Sequence, residues 1–413
     1  MWRSRHFILR VLLLGVVVSS LVMLVGCGGL GGGYGDIGPI PSYWSVAVGD
    51  LNGDGRMDIA NCFSILNSSQ PNAGFVAVNL QDPVTPGKFL TPATYRVDAD
   101  PLWIAIGDLN GDGKLDIVTA NAVGGPNATG PNDVSVLLQD ASNPGKFLPA
   151  STYATGNYPE SVAIGDLNGD GKPDLAVADN SGLSVLVQDP AKPGSFLPRS
   201  TLNIGSGTSS VAIGDLNGDG KLDLIATSTN VLVLLQNPSV PGVFSVPVSY
   251  AAGHQPDAVA VADLNGDGKP DLAVSNLGSP DGLITDGVSV LLQNPSTPGT
   301  FLAATNYARS LATLFVASAD LNGDGNADLA VGSFANIVSV LLQDPGSPGQ
   351  FQPATNYSGT DDNSKLEISS LAIADMNGDS KPDLVIDEAF GVAILFQNPS
   401  TPGAFLPATG VPQ

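Results

Sequence analysis

Asp50-Leu51-Asn52-Gly53-Asp54-Gly55-Arg56-Met57-Asp58 decides the fold, because the chain repeats it. Near-copies begin at Asp108, Asp166, Asp215, Asp263 and Asp320, and a seventh, DMNGDSKPD, begins at Asp375. The intervals are 58, 58, 49, 48, 57 and 55 residues, so one structural unit recurs with loops of variable length. A period of this size marks a propeller or a solenoid.

The loop chemistry points to a hard cation, which takes oxygen ligands alternating along a tight turn. Positions 1, 3 and 5 supply side-chain oxygens: Asp50, Asn52 and Asp54; Asp108, Asn110 and Asp112; Asp166, Asn168 and Asp170; Asp215, Asn217 and Asp219. The later copies supply Asp263, Asn265 and Asp267; Asp320, Asn322 and Asp324; and Asp375, Asn377 and Asp379. Position 7 is expected to offer its backbone carbonyl, which leaves the side chain free to vary among Arg56, Lys114, Lys172, Lys221, Lys269, Asn326 and Lys381. Position 9 closes each set with a carboxylate: Asp58, Asp116, Asp174, Asp223, Asp271, Asp328 and Asp383. An all-oxygen set disfavours zinc and copper. Magnesium fits less well than calcium because it prefers to keep its waters. Up to seven Ca²⁺ ions are therefore expected, the last site being weakened by Ser380, which stands where the other copies have Gly.

A helix-loop-helix calcium site would carry Glu at position 12. Here that position holds Asn61, Thr119, Val177, Ala226, Val274, Val331 and Ile386. Short runs such as Val162-Ala163-Ile164-Gly165 and Leu175-Ala176-Val177-Ala178 flank the loops, so each loop joins two strands. Asn, Asp and Gly would also make an ordinary turn. A plain turn, however, has no use for a ninth-position Asp in all seven copies.

The third repeat shows the plan of the unit. Strand 1 is expected at 162–165, strand 2 at 175–178 and strand 3 at 183–187, followed by Gln188-Asp189-Pro190-Ala191-Lys192-Pro193-Gly194-Ser195-Phe196. The Pro-Gly pair, present in every repeat, suits a type II turn into a short fourth strand carrying Phe196. Phe89, Phe147, Phe244, Phe301, Phe351 and Phe405 are its equivalents, best read as packing between repeats. Four antiparallel strands per unit describe a propeller blade, and seven units make an all-β, seven-bladed β-propeller. Because the last repeat breaks off near Gly410, the segment from Tyr34 to Tyr43 is expected to complete the final blade.

The formal charge is −23, but three Asp in each of seven loops account for 21 of the 39 acidic residues. Without them the charge would be −2, so no basic footprint for nucleic acid is present. Apolar residues make up 43% of the chain, enough for a large core.

Arg3, Arg5 and Arg10 followed by the apolar run 11–25 form an export signal. Its end, Leu24-Val25-Gly26-Cys27, resembles the lipobox of bacterial lipoproteins. That resemblance implies a signal peptide at 1–26, lipidation of Cys27, and attachment to the outer membrane or cell surface, since Gly28 is not the Asp of inner-membrane retention. Residues 27–44 then hold the lipidated Cys, a Gly-rich tether and the closing strand, and 45–413 the propeller. Cys62 is left without a disulfide partner and is expected to be buried.

The chain resembles the FG-GAP/VCBS repeat proteins over about residues 45–408, and its loops are similar to those of the integrin α propeller. The resemblance implies the fold and calcium, and carries over no ligand. Entry loops such as Asp98-Ala99-Asp100-Pro101, Asn157-Tyr158-Pro159-Glu160, His254-Gln255-Pro256-Asp257 and the 358–369 insertion differ between repeats and lie on the face opposite the metal loops. The residues just inside them are Ser45, Trp103, Ser161, Ser210, Ala258, Phe315 and Ser370; Trp103 and Phe315 are either sugar platforms or packing between blades. His254 is the only His beyond the export signal, and neither a Ser/His/Asp group nor a carboxylate pair stands out beyond the metal loops. The expected function is a monomeric, non-enzymatic surface module binding a protein or glycan. A lectin is the alternative, and a polysaccharide-acting enzyme ranks last.

Overall fold

The computed structural model describes residues 40–66, 73–122, 132–279, 285–309, 311–359, 368–388 and 391–412. The export signal and Cys27 lie outside them. Seven four-stranded antiparallel sheets follow one another along the chain, each with its strands in sequence order. In the third, Ser161–Gly165, Asp174–Asp179, Gly182–Leu186 and Ser200–Leu202 pair in turn. The first strands of successive blades touch all the way round, from Ile40–Gly49 to Ile368–Ala374 and back, which closes the ring and places these strands along its axis.

The second strands of blades 2 to 7 are buried along their whole length and fourth strands are mostly exposed, so the core lies between blades, not within them. One such core gathers Ala60, Cys62, Val76 and Val78 from the first blade with Ile104, Ile117 and Leu137 from the second. The recurrent Phe belongs to this layer. Phe147 of blade 2 meets Tyr95 of blade 1 edge-on at 5.5 Å, and four further Tyr–Phe pairs repeat the contact round the ring. Interblade packing by Phe is thus borne out, but its place in strand 4 is not. Each Phe forms an isolated bridge with the Gln eight residues before it, and the fourth strand starts later.

Closure also differs from expectation. The last blade takes its fourth strand, Thr409–Gly410, from its own repeat, while Ile40–Tyr43 extends the first strand of blade 1. Residues 34–39 lie outside the described part. Sequence reading counted the missing Tyr as a missing strand, but Val411 fills the Tyr position: its N–H reaches Val392 O at 2.8 Å and it packs with Phe89.

Candidate functional site

All seven loops share one hydrogen-bond scheme. In the first, Asp50 Oδ1 accepts N–H bonds from Gly53 (2.7 Å) and Asp54 (3.0 Å), and Oδ2 accepts from Gly55 (2.8 Å). Asn52 Oδ1 accepts from Asp54 N, and Asp54 Oδ1 from Arg56 N. Asp58 reaches across, taking Leu51 N–H on Oδ2 (2.9 Å) and Gln81 N–H on Oδ1 (2.7 Å). The sharp turn at position 6 has φ of 83° at Gly55 and 65° at Ser380, a region that strains a residue with a Cβ.

Burial pushes Asp58 up to about 7, against the two N–H bonds that lower it, and the charges of Asp54 and Asp50 add to the rise. Asp116, Asp174, Asp223, Asp271, Asp328 and Asp383 are raised to about 6 for the same reasons. Three carboxylates of one sign, one of them buried, form the environment that a divalent cation relieves. Each carboxylate retains lone pairs beyond its N–H bonds. In this conformation the carboxylates face backbone N–H groups, and among the described residues no three His, Cys, Asp or Glu close on a common point. The donor set therefore fits calcium, and binding would require these side chains to turn towards the ion.

The structure adds two roles to this face that the repeat pattern contained but spacing alone did not reveal. Gln81, Gln139, Gln188, Gln236, Gln293, Gln343 and Gln397 recur once per blade. Gln188 Nε2 donates to Pro173 O of its own loop (3.0 Å) and to Leu109 O of the preceding blade's loop (2.8 Å). Gln81 does the same across the ring closure, to Met57 O and Met376 O, both at 3.0 Å. Position 7 side chains are also engaged: Arg56, Lys114 and Lys381 reach the carbonyls of Pro83, Ala141 and Pro399 in the Pro-Gly turn segment. The turns themselves have the expected geometry, with Gly194 at φ 76° and Ser195 N–H bonded to Lys192 O at 3.0 Å. A Cβ on Gly194 would lie 3.1 Å from that of Asn110, so each turn rests on the Asp-rich loop of the blade before it.

The opposite face brings together residues far apart in sequence. Trp103 of blade 2 and Phe315 of blade 6 meet with centroids 5.4 Å apart and ring planes tilted by 36°. Because these blades are not neighbours, the rings meet across the central axis, a third placement besides the two expected. His254 Nδ1 and Asp286 Oδ2 lie 2.5 Å apart, with Asp286 buried and His254 exposed. Burial raises Asp286, but the backbone and ring bonds from His254 outweigh it and hold the carboxyl below its usual value. Contrary to the sequence reading, a carboxylate pair also exists. Burial pushes Asp133 up to about 7, and although Asn121 donates to it, the charge of Asp98 within hydrogen-bonding reach raises it further. Cys62 is buried as expected, its Sγ donating to Pro101 O at 3.4 Å.

Comparison of the sequence with curated proteins returns no match. Among solved structures, an Agrocybe aegerita lectin specific for non-reducing terminal N-acetylglucosamine is 20% identical with a TM-score of 0.53, covering 88% of this chain and 93% of the lectin. Rhamnogalacturonan lyase YesW is 17% identical with a TM-score of 0.51, covering 89% and 74%. Sqt1 from Chaetomium thermophilum is 16% identical with a TM-score of 0.54, covering 91% and 90%. At these identities the likeness is one of fold alone. The family model for the FG-GAP-like repeat matches residues 122–177, 166–226, 224–274 and 320–386, and that for the FG-GAP repeat matches 42–60 and 101–137. With repeats matched from the first blade to the last, the chain belongs to the FG-GAP repeat family.

Proposed function

We propose that this propeller is a calcium-stabilised, non-enzymatic binding module, carried at the cell envelope by a lipid on Cys27, whose variable face takes a protein or glycan ligand. The observation that carries the reading is the contrast between faces. Seven loops with one bonding scheme each sit beneath the next blade's turn, which is a scaffold's arrangement, while chemically distinct groups collect opposite them. The test is a pull-down of envelope proteins and a glycan array with the calcium-loaded chain. Calcium-dependent capture that is lost on altering entry-loop residues supports the reading; turnover of a polysaccharide overturns it.

Sugar binding is the second reading, favoured by the half-buried Trp103 and Phe315 rings at the axis and consistent with the lectin neighbour. A glycan hit abolished by Trp103→Ala supports it, and a uniformly blank array counts against it.

A further inference from the structure

The fourth residue past each ninth-position Asp points toward the next blade. At three interfaces it donates to a carbonyl there: Cys62 Sγ to Pro101 O (3.4 Å), Thr227 Oγ1 to Asp257 O (2.7 Å) and Ser275 Oγ to Leu314 O (3.1 Å). Elsewhere it is Ala120, Ala178 or Gly332, except in the last blade, where it is Asp387. The following blade's third residue past its ninth-position Asp shares that interblade layer, as Val177 does with Ala120 and Ala226 with Ala178. It is small, apolar or Thr at six interfaces, and Asn61 where blade 7 meets blade 1.

Register places these two side chains at one height. Asn61 pairs with Val46, Asp387 pairs with Ser370, and Val46 N–H donates to Ser370 Oγ at 3.3 Å across the seam. Both residues are 0% exposed. Neither the amide atoms of Asn61 nor the carboxylate oxygens of Asp387 have a hydrogen-bond partner among the described residues. Ser369, the nearest hydroxyl in sequence, donates to the Asp387 backbone carbonyl at 3.3 Å, and its effect in lowering Asp387 is outweighed by burial and the Glu388 charge. The surrounding layer is formed mainly by Val46, Ile59, Val385 and Val392, and its buried hydroxyls, Ser45 and Ser370, lie 3.4 Å from each other.

An unpaired carboxylate in such a layer is strongly disfavoured, whereas a neutral acid is not. A carboxylic acid and a primary amide are complementary: the acid O–H donates to Asn61 Oδ1, and Asn61 Nδ2–H donates to the acid's other oxygen. This satisfies all four buried atoms. The anion can make only the second bond and leaves Asn61 Oδ1 facing a negative charge. We propose that Asp387 closes the ring as a neutral acid paired with Asn61, directly after side-chain rotation or through one water, so that the junction of last and first blades is a proton-dependent latch.

The titratable neighbours are few. Glu388 follows on the same strand, Cys62 stands on the second strand of blade 1, and the strands Ile368–Ala374 and Gly391–Leu395 carry none. Tyr43, on the first strand of blade 1, lies outside the described side chains. Burial first, and the Glu388 charge second, hold Asp387 well above the usual carboxylate range.

The test is the unfolding equilibrium of the calcium-saturated chain against pH, for the parent, Asp387→Asn and Glu388→Gln. The folded chain keeps a proton that the unfolded chain releases above about pH 4, so stability falls as pH rises until the folded group ionises. The parent should therefore lose about tenfold in its folding constant per pH unit relative to Asp387→Asn, whose amide stays neutral. Glu388→Gln should retain a slope. Asp387→Ser, which restores the hydroxyl of Ser275, provides the same comparison if the Asn variant does not fold. Coincident pH curves for the parent and both Asp387 variants would overturn the latch. So would a slope lost only in Glu388→Gln, or the loss of one bound calcium in Asp387→Asn, which would make the seam a cation site.

Discussion

The face of the Asp-rich loops and the opposite face are the two ends of the same strands, yet they follow different rules. On the first, the positions that shape the loop recur with nearly one residue type and one bonding pattern: the first Asp accepts N–H bonds from the third, fourth and fifth residues after it, Gln donates to loop carbonyls, and Gly turns in all copies but the last. On the second, equivalent positions hold a carboxylate pair at Asp98 and Asp133, a His–Asp pair in blade 5, and an aromatic bridge over the axis. Holding a ring together is one problem solved seven times, so its solution repeats. Recognition needs a shape that occurs once, and repetition would defeat it.

Removing calcium should separate the faces most sharply. If free calcium is about tenfold above the dissociation constant, each site adds about 1.4 kcal/mol, and seven sites contribute on the order of 10 kcal/mol, comparable to a domain's net stability. A chelator should lower the melting temperature steeply and calcium should restore it. An unchanged melting curve would remove the metal from the scaffold.

Gln188→Ala should come next, at about 1–3 kcal/mol, because it strips a donor from two carbonyls in two blades. Gln139→Ala should cost less, since Gln139 Nε2 bonds only Leu115 O among the described residues. Equal losses by chemical denaturation would mean that the interblade bond has no separate effect.

On the variable face, Asp133→Asn should act through pH. Asp133 is raised to about 7, so the native protein holds a proton that the unfolded chain has released, and stability declines as pH rises from about 4 to 7. The variant should flatten that decline in calcium-saturated buffer; a curve parallel to the parent's would show that Asp133 does not hold that proton. The smallest effect is expected from Ser380→Gly, which relieves positive-φ strain worth about 1 kcal/mol and should tighten the last loop's calcium site, measurable by calorimetry.

What could be read from the chain follows the same division. Loop positions, strand order and the packing role of Phe147 or Phe196 were legible because each is local and recurs every blade. The Gln residues were visible as a repeat, but their second partner lies 79 residues away for Gln188, and no local pattern encodes that distance. Trp103 and Phe315, or Asp98 and Asp133, meet only after the ring closes or a blade folds back, so neither pair could be paired from spacing. The closing strand was misassigned because Val411 replaces a Tyr, and side-chain identity stood in for backbone position.

Since the last blade is completed by its own residues, no strand is shared between the two ends of the ring, and every blade is built from four consecutive strands. The order in which the blades are read along the chain is then arbitrary with respect to the assembled object. A circular permutant that joins the two ends and reopens the chain at another entry loop should rebuild the same ring with its break in a new place.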